Sequence, residues 1–241
     1  MHYAIISDVH ANLEALQAVL AKTEEEKIEG ILFSGDSVGY GPDPNECTKI
    51  LKEKAKIMVA GNHDRAAAGM TGITYFNPLA RVAIEWTREV LSRENVEFLQ
   101  SLPLTAELEE DNIYLVHATP REPEKWRYLL YEYDARINFN YFKEKICFLG
   151  HSHIPFIVER FSGGEIKFHY HYAEIRKENR YIVNAGSVGQ PRDGNPDAAY
   201  VLLSDNSVEI KRISYDIVLT QKKMKKAGLP AYLINRLSAG R

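Results

Sequence analysis

Cysteine is nearly absent from this chain, with Cys47 and Cys147 standing alone and far apart among 241 residues. Two isolated thiols exclude a disulfide framework and any thiolate metal site, and they read as reduced, half-buried side chains. A positive surplus is also missing: 30 basic residues face 33 acidic ones, for a net charge of -3. No global field is available to hold a polyanion by counterion release, which disfavours nucleic acid as a partner. No apolar run approaches the roughly 20 residues that cross a bilayer. The segment Met1 to Asp8 has no basic region and meets an acid too early for a secretory signal. The expectation is a cytoplasmic protein with no membrane partner. Repeats and low-complexity linkers are lacking too, and a hydrophobic share of 45% with 26% charged residues is that of an ordinary globular chain.

What is present begins with strands alternating with helices. Tyr3 to Ile6 is a short apolar run, followed by Asn12 as an N-cap and by Leu13, Leu16, Val19 and Leu20 at helical spacing. Gly30 to Phe33 repeats the strand signal, and Asp43-Pro44-Asn45-Glu46 combines an N-cap, a proline at N1 and a glutamate at N3. Ile57 to Ala60 is the third strand, and this alternation implies parallel pairing. Asn77-Pro78 opens a long amphipathic segment of helical cover over about 76–101. From Leu104 onward short strands dominate: Ile113 to Val116, Ile146 to Leu149, Phe156 to Arg160, Ile166 to Tyr172, Tyr181 to Val183, Ala199 to Leu203 and Val208 to Ile213. Ser162-Gly163-Gly164 and Asp205-Asn206 are hairpin turns. The basic run Lys222 to Lys226 reads as a solvated helix face.

Each of the apolar strands named first ends in a polar cluster, which is where an open α/β sheet presents its ligands. Strand one runs into Asp8-Val9-His10, strand two into Gly35-Asp36, strand three into Gly61-Asn62-His63-Asp64. Later strands deliver His117, Gly150-His151-Ser152-His153 and Asn184-Ala185-Gly186-Ser187, so five of the eight histidines fall at strand ends. Residues one apart on an extended segment project to one side, so Asp8 with His10, and His151 with His153, can each address one point. Glycines before Asp36, Asn62 and His151 allow a sharp exit from a strand. Oxygen and imidazole donors without thiolate favour manganese, iron or zinc over copper or iron-sulfur. Any one cluster alone reads as a turn or a core histidine, but five of them at strand ends do not.

The ordered series Asp-x-His, Gly-Asp, Gly-Asn-His-Asp, His and Gly-His-x-His, spanning Asp8 to His153, resembles the calcineurin-like metallophosphoesterases. The run Asn184 to Arg192 resembles their compact bacterial and archaeal phosphodiesterase branch. The resemblance implies an α/β fold of two mixed β-sheets packed as a sandwich and flanked by helices. It places a metallophosphoesterase domain over residues 1–215 and leaves 216–241 as a C-terminal helical tail packed on the domain or extending from it. It further implies that Asp8, His10, Asp36 and His153 hold one divalent ion and that Asp36, Asn62, His117 and His151 hold a second, with Asp36 bridging. Manganese is the expected metal, with iron, zinc or nickel as alternatives. His63 then faces substrate as proton donor or phosphate ligand, and Asp64 beside it orients the imidazole and raises its pKa.

Two cations about 3.5–4 Å apart suit phosphoester hydrolysis, because they relieve the repulsion met by a nucleophile approaching an anion and acidify a bridging water towards hydroxide. The implied enzyme is a metal-dependent phosphoric ester hydrolase, most simply a phosphodiesterase acting on a small phosphodiester or nucleotide. The alternatives are a phosphomonoesterase or nucleotide phosphatase, and a non-catalytic protein-interaction scaffold of the same fold. The Asp-Arg-Gly of the phosphoprotein phosphatases is replaced by Asp36-Ser37-Val38-Gly39-Tyr40-Gly41, which lowers that reading. Arg192 is either a substitute phosphate ligand or a surface arginine, and Asn12 either an N-cap alone or also a substrate contact. The aromatic segment Trp126 to Tyr133 either lines a base pocket or packs as a helix on the sheet. His169 and His171, on one strand face, have nothing nearby to complete a site and read as structural. No oligomer is predicted.

Overall fold

The computed structural model describes residues 2–241. In chain order the elements are β1 (Tyr3–Ile6), α1 (Leu13–Glu25), β2 (Gly30–Phe33), α2 (Pro44–Lys54), β3 (Ala55–Met58), α3 (Asn62–Ala67), α4 (Pro78–Val90), α5 (Arg93–Ser101), β4 (Thr105–Leu108), β5 (Ile113–Val116), α6 (Glu132–Asn138), β6 (Ile146–Leu149), β7 (Phe156–Arg160), β8 (Ile166–His169), β9 (Tyr172–Glu174), β10 (Arg180–Asn184), β11 (Ala198–Ser204), β12 (Ser207–Ile213), α7 (Ile217–Lys226) and α8 (Ala231–Leu237). They form two six-stranded mixed sheets, ordered β3-β2-β1-β11-β12-β9 and β4-β5-β6-β10-β7-β8. The parallel triplet β1, β2 and β3 carries its connections through α1 and α2, as the alternation of strand and helix requires.

Period two in the strands sorts their side chains between layers. Tyr3 and Ile5 point into the space between the sheets with Leu32, Ile146, Phe148, Tyr181 and Val183, whereas Ala4 and Ile6 face the helices with Leu16, Val19 and Leu51. The second sheet does the same, with Cys147, Leu149 and Ile182 under α6. Both faces of the inner strands are therefore buried, which is why they read as unbroken apolar runs. Cys47 and Cys147 are free and fully buried rather than half-buried, each inside a helix-facing core cluster.

Several elements differ from the sequence expectation for local reasons. The helical cover breaks at Leu91, which is extended, and restarts where the Ser92 side chain accepts from the Asn95 N–H, so it is two helices. The β2–β3 ladder starts two residues earlier than the apolar pattern suggests and ends at Met58. Gly-Asn-His-Asp is the first turn of a short helix, α3, not a simple turn. The run Ile166 to Tyr172 is not one strand, because the chain leaves one sheet after His169 and joins the other at Tyr172. His169 and His171 consequently share no strand face. The aromatic segment Trp126 to Tyr133 is not a helix packed on the sheet: it follows a single 3-10 turn at Pro123–Lys125 as irregular chain, and α6 begins only at Glu132.

The C-terminal helices pack on the rest of the chain. Met224, Leu229, Leu233 and Leu237 form a core with Tyr40, Ala80 and Ala83. Within the basic run Met224 is buried and Lys223 pairs with Glu14 at 2.8 Å and with Asp43. Asp43 makes no side-chain cap on α2. Among the described residues no helix is long and apolar enough to cross a membrane.

Candidate metal centre

The loops that leave β1, β2, β5 and β6 converge at one end of the sandwich, and their polar side chains are buried there with histidine rings in defined orientations. His10 Nδ1 lies 3.0 Å from the Val38 carbonyl oxygen, His117 Nδ1 2.8 Å from that of Ser34, and His153 Nδ1 2.6 Å from that of Gln190. His151 uses its other nitrogen, Nε2, 2.9 Å from the Trp126 carbonyl. A carbonyl only accepts, so each of these ring nitrogens donates, and the opposite nitrogen of each neutral ring presents a lone pair inward.

Those inward atoms face one another and the carboxylates. His10 Nε2 and His153 Nε2 are 3.1 Å apart, and His151 Nδ1 is 3.2 Å from His117 Nε2. Asp8 Oδ1 lies 3.1 Å from His153 Nε2 and 3.6 Å from His10 Nε2, buried and without a hydrogen bond. Asp36 Oδ2 lies 3.3 Å from His117 Nε2 and 3.7 Å from His10 Nε2, and Asn62 Oδ1 is 3.1 Å from His117 Nε2. Lone pairs this close repel unless a proton or a cation stands between them. Donor atoms of Asp8, His10, Asp36, Asn62, His117, His151 and His153 thus gather in one buried cluster, with Asp36 Oδ2 beside both His117 and His10. Three groups of donor atoms, from Asp8, His10 and His153, from His10, Asp36 and His63, and from Asp8, Asp36 and His117, each fall within 4.8 Å of one another, as cation ligands must. The residues present fit the binding of divalent metal.

Charge in the ion-free protein agrees with that geometry. Burial works against ionising Asp8, but His153 and His117 outweigh it and hold the carboxyl well below its usual range. Asp36 is likewise lowered, burial being overcome by His117 and His63. His117 is buried, which disfavours its charge, yet Asp36 and Asp8 push it up to about 9. His151 and His153 are pushed down, to about 4 and about 3, chiefly by burial and then by the cations His117 and Arg192 respectively.

The backbone is bent to make this possible. Asp8, His10, Asp36, His151 and His153 all have φ between 49° and 66°, the left-handed region. For a residue with a Cβ that conformation costs roughly 1–2 kcal/mol, and it clusters where function over-determines the chain. The bends are held by loop-to-loop hydrogen bonds, from Asp8 N to Gly35 O at 2.9 Å, His10 N to Asp36 O at 3.0 Å and Gly150 N to His117 O at 2.9 Å. Of the glycines expected at sharp exits, only Gly35 has a positive φ. Gly61 and Gly150 are needed for close approach instead: a Cβ on Gly61 would stand 1.9 Å from Asp36 Oδ1, and one on Gly150 2.2 Å from Asp8 Oδ2.

Asp64 does not orient His63. Its carboxylate accepts from the backbone N–H groups of Asp36 (2.8 Å), Ser37 (2.9 Å), Val38 (3.3 Å) and Gly61 (3.0 Å) and from Ser37 Oγ (2.7 Å). As an N3 residue of α3 it turns back on the helix start, which commits it to the Asp36 loop. His63 therefore lacks the carboxylate expected to charge it, and burial pushes its imidazole well below the usual histidine value. Its backbone N–H donates to Asp36 Oδ1 at 2.8 Å, its Nδ1 is buried without a partner among the described residues, and its ring packs against Tyr40 at 4.5 Å and Phe76 at 5.0 Å.

Asn12 is also fully engaged elsewhere. Its Oδ1 caps α1 through the Ala15 N–H and accepts from Thr220 Oγ1, while its Nδ2 donates to the Gly189 carbonyl. Asn12 is not among the residues that line the cavity beside His63. Arg192, by contrast, lines that cavity, of about 510 Å³, beside Asp36, Asn62, His63, His151 and His153. Its guanidinium sits 5.6 Å from the Tyr40 ring centre, and its Nε is buried without a partner. Trp126 and Tyr128 line the same cavity, whereas Tyr131 and Tyr133 are over 70% exposed and lie outside it.

Sequence reasoning missed Tyr40, Phe76 and the anchoring part of the Asn184 to Gln190 run. Asn184 Nδ2 donates to the Gly150 carbonyl at 2.7 Å and Ser187 Oγ to the Asp8 carbonyl at 2.7 Å, so this run holds the histidine turn against the first loop. The flanking glycines of Tyr40 were a signal of close packing; Phe76 had none.

The sequence pattern of the calcineurin-like phosphoesterase superfamily domain matches residues 1–207, and the chain belongs to that superfamily. An uncharacterized protein of Methanocaldococcus jannaschii is 41% identical over 99% of this chain and 98% of its own length. The crystal structure of a metallophosphoesterase from Sphaerobacter thermophilus superposes with a TM-score of 0.88 at 39% identity, covering 100% of this chain and 99% of that one. A hypothetical protein from Pyrococcus horikoshii shares the fold at 21% identity and a TM-score of 0.81, covering 100% and 98%. The chain is a metal-dependent phosphoester hydrolase.

Proposed function

We propose that this hydrolase is a dinuclear phosphodiesterase for small phosphodiesters or nucleotides, with manganese as the resident metal. The observation that carries the reading is the set of four imidazoles whose outward nitrogens are tied to backbone carbonyls, so that four inward nitrogens meet two buried carboxylates. Two divalent ions held there would supply charge neutralisation and an acidified water. The protein's own groups do the rest. Asp8 and Asp36 are ionised by their surroundings, and the donor set is preorganised by backbone hydrogen bonds, so little rearrangement accompanies binding.

Arg192 lines the cavity wall, which supports a role in holding a phosphoryl oxygen. His63 is neutral in the ion-free protein, and an anionic phosphoryl group beside it favours its charged form, from which a proton passes to the departing alkoxide oxygen. A cavity of about 510 Å³ exceeds the needs of a bare phosphate and leaves room for two ester groups, which supports a diester.

The test is hydrolysis of bis-p-nitrophenyl phosphate and p-nitrophenyl phosphate by metal-stripped protein, with manganese, nickel, zinc or iron restored. Turnover is expected with manganese, higher on the diester, and reduced at least about a thousandfold in Asp36→Asn, which removes the shared ligand. His63→Ala should lose most turnover with ion content intact. Higher turnover on the monoester would replace the diesterase reading with a phosphatase one.

A further inference from the structure

The segment between Glu122 and Tyr128 touches the metal centre and the cavity at once. The Trp126 carbonyl receives the His151 Nε2 proton at 2.9 Å and so decides which nitrogen of that ring faces inward. Tyr128 stacks on the same imidazole, ring centres 4.4 Å apart and 23° from parallel. Both aromatic rings also line the cavity. The Trp126 ring also meets His117 edge-on, ring centres 6.0 Å apart, and a 3-10 turn bonds the Lys125 N–H to the Glu122 carbonyl at 2.9 Å. The segment leaves the fold after Arg121, whose N–H is bonded to Asn138, and returns at Leu129, which is buried in the core under α6. Between those points Glu122 and Trp126 both adopt left-handed backbone, at φ 50° and 51°, and the side-chain bond is an exposed pair of Arg127 with Glu122. The other three inward-facing histidines lean on carbonyls of Ser34, Val38 and Gln190, buried parts of the loop framework. His151 alone leans on a cavity wall.

We propose that Trp126 and Tyr128 are positioning and specificity residues: one aromatic wall both orients the ligand His151 and receives a planar aromatic group of the substrate ester. This rests on the dinuclear hydrolase reading and narrows it to esters of nucleosides or aryl alcohols. Because one wall serves both tasks, a ring that packs on it restrains the chain that holds His151. Occupation of the wall and of the second ion position then favour each other, and the linkage is reciprocal.

The experiment uses manganese and two non-hydrolysable probes, phenylphosphonate and methylphosphonate, with binding followed by calorimetry on the full chain. The wild-type protein is expected to bind two ions and to prefer phenylphosphonate by about tenfold, the scale of one ring stacked on another. In Tyr128→Ala the weaker ion should lose about tenfold in affinity, as outer partners of metal ligands typically do, and the preference for phenylphosphonate should vanish. Tyr128→Phe keeps the ring and should keep both properties. Tyr128 is 52% exposed, so its removal spares the core. Unchanged ion affinity in Tyr128→Ala, or equal loss for both phosphonates, overturns the inference alone. A wild-type chain that binds fewer than two ions overturns the dinuclear reading and this inference with it.

Discussion

Histidine meets a buried carboxylate in two regions of this molecule. At the edge of the second sheet, Glu159 is 3% exposed, and both its oxygens are satisfied, one by Asn179 at 2.6 Å and Tyr181 at 3.2 Å, the other by His169 at 2.9 Å. At the strand ends, Asp8 keeps one buried oxygen with no hydrogen bond, and ring nitrogens face one another at 3.1 and 3.2 Å. The residue types are similar and both carboxylates are buried, though His169 is 18% exposed and the histidines beside Asp8 are not. What separates a structural pair from a metal centre is where the spare lone pairs point, and that is set by which backbone carbonyls take the ring protons.

The largest effect that sharpens this contrast is expected at Asp64. Asp64→Ala removes the acceptor of four buried backbone N–H groups and one hydroxyl, so it should cost at least about 3 kcal/mol of stability, read from denaturant midpoints. A variant as stable as wild type, with only the pH profile of turnover moved, would restore the role of orienting His63.

Next comes the coupling of ions to protons. His117 is raised to about 9, so the ion-free protein carries a proton there at neutral pH, and that proton must leave before Nε2 can ligate. Apparent ion affinity should therefore rise with pH up to about 9, by about tenfold per unit, and binding at pH 7 should release about one proton from His117. Calorimetry in two buffers of different ionisation enthalpy measures that number. An affinity flat between pH 6 and 8 would contradict the donor assignment of His117.

The smallest effect belongs to the edge pair. Glu159→Gln should leave ion binding and turnover unchanged and cost about 1–2 kcal/mol of stability at neutral pH. Burial opposes ionising Glu159, but bonds from Asn179, His169 and Tyr181 outweigh it and lower its pKa below 4.5. A carboxyl lowered on folding adds stability above its unfolded value and loses it as pH falls through the folded one. The gap between wild type and variant should thus shrink below about pH 4.5, seen in urea melts across pH. A gap that stays constant would mean that the charge of Glu159 contributes nothing.

Much of this was legible in the primary structure because it is local. Strands such as Ile146 to Leu149 announce themselves by continuous apolar character, since both faces are covered. The polar clusters were legible as positions, from Asp8 to His153, because ligands sit where strands end. The partner of Asp64 was not legible because its distance from His63 in sequence says nothing of which loop its carboxylate meets, whereas the N-cap role of Asn12 was legible and its bonds to Gly189 and Thr220, from the far end of the chain, were not. The segment 126–133 was ambiguous because aromatic content does not distinguish a packed helix from a wall. Its two halves in fact do different things, Trp126 and Tyr128 facing the cavity while Tyr131 and Tyr133 face solvent.

Residue order by itself determined the layered α/β architecture, the superfamily and which side chains gather at one end of the sandwich. Those follow from hydrophobic period and from the spacing of motifs along strands. Only the tertiary structure decided which ring nitrogen faces inward, which carboxylate oxygen is left bare and which aromatic rings wall the cavity. These depend on carbonyls supplied by Ser34, Val38, Trp126 and Gln190, backbone atoms common to every residue type, which no pattern of side chains can mark in advance.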